Sequence, residues 1–449
     1  MIEIPGQLET LTLNSSERSQ DHLPPNPCNP VPSLGMKRRS LLQGAAALAI
    51  VNLIAGCQGE RTPDATIQLL QNSIPTPLLR EFQTEYPSQL IQFRAIETLA
   101  SSYDTLTAEN STTAFSPLTA TVLGDFWLTS AIRQNLITPL PVDELDGWSR
   151  LPSALKQLVT RNGEGIPARN GRVWGAPYRL GSLAIAYNTQ KFASFDWTPE
   201  DWSVLWRPEL QSHISLPDSA RIVIGLALKS LNESWNAETV NNQLLSESTQ
   251  LINALQELHQ QVKLYSSSDY LQPLILGDTW LAVGWTTDIL PLLRRDRRFA
   301  GVIPESGTLL TADVWVRPNE AAPKVEETDD PSTDPSIPEA SPSRSVENID
   351  SGTRSPDSTP SESLSSILQD WIQFCWQPSI AQRLSLQGFA ASPVLIGGDR
   401  TSLPNALRND PLLLPDDAVI NKSEFLAPLP DDVLVEYQKV WTTIRLESS

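Results

Sequence analysis

Residues 201–231 read DWSVLWRPELQSHISLPDSARIVIGLALKSL, and they place a β-strand directly before a helix. The run HISLPD (213–218) has the alternating apolar residues of a short strand. The run RIVIGLALKSL (221–231) repeats apolar residues at helical spacing, and Asp218 or Ser219 before it is a suitable N-cap. A strand that ends in polar side chains at the start of a helix is typical of an open α/β sheet.

The same alternation of strands and helices continues on both sides of this stretch. Further strands are predicted at 65–70, 90–96, 119–128, 183–188, 280–285 and 312–318. Helices are predicted from Pro77 to Tyr86 and over 249–262. This spacing predicts an α/β fold with mostly parallel sheets that are covered by helices.

Polar and aromatic residues cluster where five of the predicted strands end. Ligands of open α/β sheets bind just beyond the carboxyl ends of strands, so these clusters predict a binding cleft. The alternative is that each aromatic side chain belongs to the core and each aspartate caps a helix. The candidate ligand-binding residues are Asp125, Trp127, Tyr178, Arg179, Asp218, Ser219, Arg221, Trp285, Asp288, Thr311 and Asp313.

Composition and motifs exclude several classes of function. A net charge of −19 makes nucleic acid an unsuitable partner, because affinity for nucleic acid depends on basic patches. The chain has three histidines and no HExxH, GxSxG or glycine-rich phosphate loop, so we expect no metal, cofactor or catalytic triad. A carbohydrate-active hydrolase needs only two carboxylates and remains an alternative.

The stretch MKRRSLLQGAAALAIVNLIAGCQG (36–59) has the features of an export signal. Basic residues precede an apolar run that is shorter than the ~20 residues of a membrane-spanning helix. Residues 54–57 (IAGC) resemble a bacterial lipobox, and residues 38–39 (RR) with the following SLL resemble a twin-arginine signal. We expect a signal peptide at 36–56 and an extracytoplasmic protein that is tethered to a bacterial membrane by a lipid on Cys57.

Two other segments are expected to lie outside the fold. Met36 is the second of only two methionines, which suggests that translation begins there and that 1–35 is a non-native or disordered extension. Residues 320–362 contain seven prolines, eleven acidic and three basic residues and no aromatic residue, which predicts a disordered acidic insertion. Cys375 then has no disulfide partner, and its apolar neighbours predict a buried thiol.

Four segments resemble bacterial extracellular solute-binding proteins of ABC transporters, in particular the spermidine/putrescine-binding group. They are VWGAPYRLGSLAIAYNTQKF (173–192), the 201–231 stretch, LAVGWTTD (281–288) and GTLLTADVWVRP (307–318). The resemblance implies a two-lobed periplasmic-binding-protein type 2 fold in which PYRLGSLAIAYN and TLLTADVWV are hinge strands that cross between the lobes. The lobes would comprise 64–182 with part of 312–375, and 183–311 with part of 376–449. It also implies a monomer without enzymatic activity that delivers a small solute to a membrane permease.

The resemblance also suggests which residues contact the solute. Trp285 and Asp313 match an aromatic wall and an amine-binding carboxylate, which favours a cationic solute such as a polyamine. Two other expected carboxylates fall on Ser219 and Ile222, and an expected aromatic residue falls on Thr311, so a long diamine is disfavoured.

Two alternatives to a cationic solute follow from the same residues. The N-terminus of the helix after Ser219, together with Arg179 or Arg221, could favour an anion, although Arg221 is equally suited to pair with Asp218. The missing carboxylates and the acidic insertion also suit an interaction or scaffold lipoprotein that keeps the fold without transporting a solute.

Overall fold

The computed structural model describes residues 63–108, 118–319 and 366–446. Four sequence predictions lie outside these described residues: the extension at 1–35, the signal peptide at 36–56, the lipid on Cys57 and the acidic insertion at 320–362.

The strands begin and end close to the predicted positions where the sequence is apolar, and the two central ones are longer than predicted. The strands of the described residues are β1 (Ala65–Leu70), β2 (Ile91–Ile96), β3 (Leu118–Gly124), β4 (Ile137–Thr138), β5 (Thr160–Arg161), β6 (Arg172–Val173), β7 (Ala176–Asn188), β8 (Ile214–Leu216), β9 (Thr239–Val240), β10 (Gln243–Leu244), β11 (Val262–Tyr265), β12 (Leu281–Trp285), β13 (Phe299–Val302), β14 (Leu309–Pro318) and β15 (Glu424–Phe425).

Helices alternate with these strands along the chain. They are α1 (Thr76–Glu85), α2 (Leu99–Ala108), α3 (Leu128–Arg133), α4 (Ser153–Val159), α5 (Thr189–Phe192), α6 (Ala220–Ser230), α7 (Thr249–Gln261), α8 (Gln272–Leu276), α9 (Thr286–Arg295), α10 (Ser366–Trp376), α11 (Pro378–Gly388), α12 (Asn405–Arg408), α13 (Asp417–Ile420) and α14 (Asp431–Leu446). None of them, within the part of the chain that the structure describes, combines the length and hydrophobicity needed to cross a bilayer.

The main sheet has the order β11-β8-β12-β7-β14-β3-β1-β2. Strands β1, β2 and β3 pair in parallel in one half, and β8, β11 and β12 pair in parallel in the other. The two central strands, β7 and β14, run antiparallel to each other and to the strands that flank them. The predicted α/β class is confirmed, with a parallel sheet in each half and an antiparallel pair at the centre.

The two central strands pass from one half of the sheet to the other. The first part of β7 pairs with β14, which continues to β3, whereas its last part pairs with β12. Every residue of β7 except Tyr187 is buried, as expected for a strand that is covered on both faces. These are the two segments that the sequence predicts as crossings.

Each half of the sheet has its own apolar core. Phe82 and Trp371 are fully buried in a core against β1 and β3, and Trp202 and Trp235 are buried in another against β8 and α6. A third cluster connects side chains of both halves, including those of β3, β7 and α9. Cys375 is buried in the first core, as predicted.

Helices α10 and α11 pack together. Trp371 of α10 and Leu384 of α11 share the core of the β1–β3 half. The lobe boundaries at 182/183 and 375/376 remain predictions.

Helix α6 shows why the 201–231 stretch folds as it does. Ser219 is its N-cap, and the Ser219 hydroxyl accepts a hydrogen bond from the backbone N–H of Ile222 at 3.4 Å. Of the two predicted N-caps, the structure therefore selects Ser219. A Cβ on Gly225 would lie 2.4 Å from the ring of Trp235, so the glycine allows the indole to pack directly on the helix backbone.

Candidate functional site

The carboxyl ends of strands from both halves converge on one short segment of β7. Asp313 of β14 is in register with Gly124, the last residue of β3, and also with Arg179 of β7. Four residues further along β7, Leu183 is in register with Trp285, the last residue of β12. Four residues of strand span ~13 Å, a distance suited to a small solute. The predicted meeting of strand ends therefore lies where β7 and β14 cross between the halves.

An ion pair between Arg179 and Asp313 occupies the centre of this region. Arg179 Nη1 lies 2.9 Å from Asp313 Oδ2, and Nη2 donates a hydrogen bond to the Gly388 carbonyl at 3.2 Å. Both residues are buried, with 8% and 9% of their surfaces exposed. Burial raises the pKa of Asp313, and the neighbouring guanidinium opposes that rise. The carboxylate that the resemblance assigns to a solute amine therefore already has a cationic partner within the chain.

Asp125 is also satisfied within the protein. It lies just after β3 and is buried, and its Oδ1 accepts hydrogen bonds from the Thr311 hydroxyl and the Ala312 backbone N–H, both at 2.9 Å. Burial raises the pKa of Asp125 to about 6 although these hydrogen bonds favour the ionised form. Asp125 and Thr311 therefore join the end of β3 to the crossing strand β14.

Of the three aspartates Asp125, Asp288 and Asp313, Asp288 is the one that is exposed. It lies in the first turn of α9 and accepts a hydrogen bond from the Tyr270 hydroxyl, which in turn accepts the Trp285 backbone N–H at 3.2 Å. Although Asp288 is exposed, the surrounding protein excludes enough water to raise the pKa of its carboxyl, and Tyr270 and Arg179 oppose that rise. Asp288 therefore lies within electrostatic range of the Arg179–Asp313 pair.

Aromatic rings are present at both strand ends. Trp127 stacks on Tyr103 at 4.3 Å between centroids, and the neighbouring Phe126 is 52% exposed. Trp285 is half-buried on the opposite side of the crossing. Phe126 was not among the residues predicted individually, although the DFW sequence at the end of β3 was the signal. Tyr178 is only 1% exposed and stacks on Trp315, so its ring belongs to the core.

The candidates from the 201–231 stretch form a separate group. Because β8 and β12 are adjacent and parallel, Asp218 follows a strand end at the same sheet edge as Trp285. Asp218 Oδ1 lies 3.6 Å from Nη1 of Arg445, which belongs to α14. Arg221 donates a hydrogen bond to the Asn236 side chain at 2.9 Å, and burial lowers its pKa. Arg221 therefore does not pair with Asp218. It also donates a hydrogen bond to the Ala427 carbonyl at 3.3 Å, and Arg445 connects Asp218 to α14.

Nine of the eleven predicted site residues separate into two sets, whereas Tyr178 belongs to the core and Trp127 stacks on Tyr103. The residues brought together at the crossing are Asp125, Arg179, Trp285, Asp288, Thr311 and Asp313, whereas Asp218, Ser219 and Arg221 lie beside the C-terminal segment. Among the described residues, no group of three or more histidine, cysteine, aspartate or glutamate side chains is arranged to hold a metal ion.

Part of the chain matches a known protein family. Residues 115–331 match the family described as bacterial extracellular solute-binding protein. The predicted resemblance is confirmed. A putrescine/cadaverine-binding protein of Pseudomonas aeruginosa is 27% identical over 157 residues, which cover 32% of this chain and 43% of that protein. Spermidine/putrescine-binding periplasmic protein 1 of Haemophilus influenzae is 24% identical over 247 residues, which cover 55% and 63%. The alignments thus span 43% and 63% of the lengths of these two relatives.

Solved structures share the fold over a larger part of the chain. The spermidine/putrescine ABC transporter substrate-binding protein of Streptococcus pneumoniae aligns with a TM-score of 0.65 and 18% identity, over 86% of this chain and 99% of that one. UgpB of Mycobacterium tuberculosis, solved with glycerophosphocholine, aligns with a TM-score of 0.57 and 15% identity, over 86% and 98%. The two-lobed fold of type 2 periplasmic binding proteins is thereby confirmed.

Proposed function

We propose that the protein is the solute-binding component of an ABC transporter and binds a small polar solute that carries a cationic group. The observation that carries this proposal is the convergence of strand ends from both halves on the segment where β7 and β14 cross. Crossing strands suit a hinge, because two rigid halves can close on a solute that contacts both. The protein would then deliver the solute unchanged to a membrane permease.

The charged and aromatic side chains of the crossing region support a cationic group. Exposed Asp288 supplies a carboxylate, and Trp285 and Phe126 supply aromatic surface from the two halves. A desolvated cation gains from both kinds of contact. The curated relatives are named for polyamines, and amines with one or more cationic groups are the first solute class to test. The proposed location is outside the cytoplasmic membrane, with a lipid on Cys57 as the tether.

A thermal unfolding series with a panel of small solutes tests the proposal. A solute that binds only the folded state stabilises it by about 2.7 kcal/mol at 100 times its Kd, which gives a saturable rise in Tm. The Phe126→Ala variant should bind more weakly, because loss of an aromatic contact with a cation costs about 0.5–2 kcal/mol. The Leu90→Ala variant is the control and should bind the solute unchanged. Leu90 is similarly exposed, but it precedes β2 at the opposite, amino-terminal edge of the sheet.

The result that would count against the proposal is equally specific. If no amine, amino acid, sugar or anion produces a saturable rise in Tm, the protein is not a solute-binding component. The ion pair of Asp313 with Arg179 would then favour the alternative of a scaffold lipoprotein that keeps the fold without binding a ligand.

A further inference from the structure

The acidic side chains at the crossing differ in how much of their charge is already used within the protein. Asp313 is buried against Arg179, and Asp125 is buried with Oδ1 accepting two internal hydrogen bonds. Asp288 is exposed, and its described hydrogen bond comes from the neutral hydroxyl of Tyr270. Of these three carboxylates, Asp288 alone therefore combines exposure with the absence of a directly bonded cation.

We propose that the site selects solutes with a single cationic group, which Asp288 binds, and that Arg179 excludes a second cationic group by occupying Asp313. This inference rests on the proposed function and names the solute class of the same site. It makes Arg179 a specificity-determining residue, since its guanidinium takes the place that a second ammonium would need.

Displacement of Arg179 by a solute ammonium would be costly for geometric reasons. The guanidinium is buried, and it also donates to the Gly388 carbonyl, so rotation away from Asp313 would break two polar contacts. A buried charge that loses its partner is strongly unfavourable, and binding through that route would be weakened on the order of a hundredfold or more. A second ammonium beside an undisplaced Arg179 would meet a like charge.

At the other end of the site, neither of the two positions where the resemblance expects a carboxylate offers one to a second ammonium. At the start of α6, Ser219 uses its hydroxyl as the helix N-cap, and Ile222 is an apolar residue that is 6% exposed. The neighbouring Asp218 already faces Arg445, whose guanidinium carbon lies 4.6 Å from the centroid of the Tyr265 ring. Asp313 and Asp218 thus each already face an arginine of the chain.

Four probes with the same four-carbon chain test the inference by isothermal titration calorimetry. Butylamine, 4-aminobutanol and 4-aminobutanoate each carry one cationic group, whereas 1,4-diaminobutane carries two. The full chain is expected to bind at least one of the first three at least tenfold more tightly than 1,4-diaminobutane. Asp288→Asn should weaken that binding at least tenfold. Asp278→Asn should leave it unchanged, because Asp278 is an exposed carboxylate before the opposite, amino-terminal end of β12.

The Arg179→Met variant provides the converse measurement, because it frees Asp313. Its preference should shift toward 1,4-diaminobutane by at least tenfold relative to the unchanged chain. Tighter binding of 1,4-diaminobutane by the unchanged chain, or no effect of Asp288→Asn, would overturn the inference. Binding only of solutes without a cationic group would overturn both this inference and the cationic part of the proposed function, whereas the solute-binding role itself would stand. Failure of every solute to bind would remove the proposed function itself.

Discussion

The guanidinium of Arg179 and the carboxylate of Asp313 lie 2.9 Å apart, on the two strands that cross between the halves of the sheet. The two residues are register partners in an antiparallel pair, and Asp313 also faces the end of β3. The ion pair therefore fixes the alignment of β7 and β14 at the place where strand ends from both halves converge. The strength of this ion pair therefore affects both the stability of the fold and the choice of solute.

Breaking this pair from either side should destabilise the protein. Arg179→Met or Asp313→Leu leaves one buried charge without its partner, which costs about 3–5 kcal/mol. The double variant removes both charges, so its loss of stability should be smaller than the sum of the two single losses by several kcal/mol. Urea denaturation of the four proteins measures this coupling. Additivity within ~0.5 kcal/mol would show that the charges do not stabilise each other.

Substitution of Gly284 tests the position of Tyr270. A Cβ at Gly284 would lie 2.0 Å from Tyr270 Cε2, so Gly284→Ala must displace the ring whose hydroxyl contacts Asp288 and the Trp285 backbone N–H. We expect a loss of about 1–3 kcal/mol in the free energy of unfolding, as for other overpacked sites, and weaker solute binding. Gly163→Ala is the matched control, because a Cβ there would meet no atom within 4 Å. Equal stability of the two variants would contradict the close approach.

Asp125 should make stability depend on pH in a defined direction. Its pKa is raised from 3.8 to about 6 by burial, so the folded state holds a proton that the unfolded state has already released between these values. Stability from this group is fully present below pH ~4 and falls as pH rises through ~6, by about 3 kcal/mol at most. The free energy of unfolding of the unchanged chain should therefore fall relative to that of Asp125→Asn between pH 4 and pH 8. A constant difference over that range would refute the assignment.

Local sequence patterns were sufficient for the strands and helices that have apolar periodicity. The strand at 65–70 has the predicted bounds, and α6 begins at one of its two predicted N-caps, because both depend on neighbouring residues. Strand β7 begins seven residues earlier than its predicted apolar run at 183–188, since Arg179, Gly181 and Ser182 interrupt the pattern. These residues are buried because β7 crosses between the halves.

Whether each candidate site residue is paired or exposed depends on partners that are distant in sequence. Arg179 and Asp313 are separated by 134 positions, and Asp125 and Thr311 by 186. The sequence located these residues at strand ends but could not show that Arg179 would neutralise Asp313 or that Arg445 would face Asp218. The exposed Asp288 could be distinguished from the other aspartates only when the tertiary contacts were known.

Tyr270 should set the pH at which a cationic solute is released. Its hydroxyl donates to Asp288 and thereby opposes the rise in the pKa of that carboxyl that the partial exclusion of water by the surrounding protein causes. Removal of the hydroxyl in Tyr270→Phe should raise the pKa of Asp288 further, because the ionised form loses a hydrogen bond. Binding to the ionised carboxylate should then be lost at a higher pH than in the unchanged chain.

Solute affinity measured from pH 4 to pH 8 reports this shift. Tyr86→Phe is the matched control, since Tyr86 follows α1 in the other half of the sheet and lies beside Asp370. The dependence of solute affinity on pH should be the same for Tyr86→Phe and the unchanged chain. For Tyr270→Phe the loss of affinity should occur at a higher pH, with little change in affinity at pH 8. If Tyr270→Phe bound the solute more weakly by the same factor at every pH, the hydroxyl would support packing and would not change the pKa of the Asp288 carboxyl.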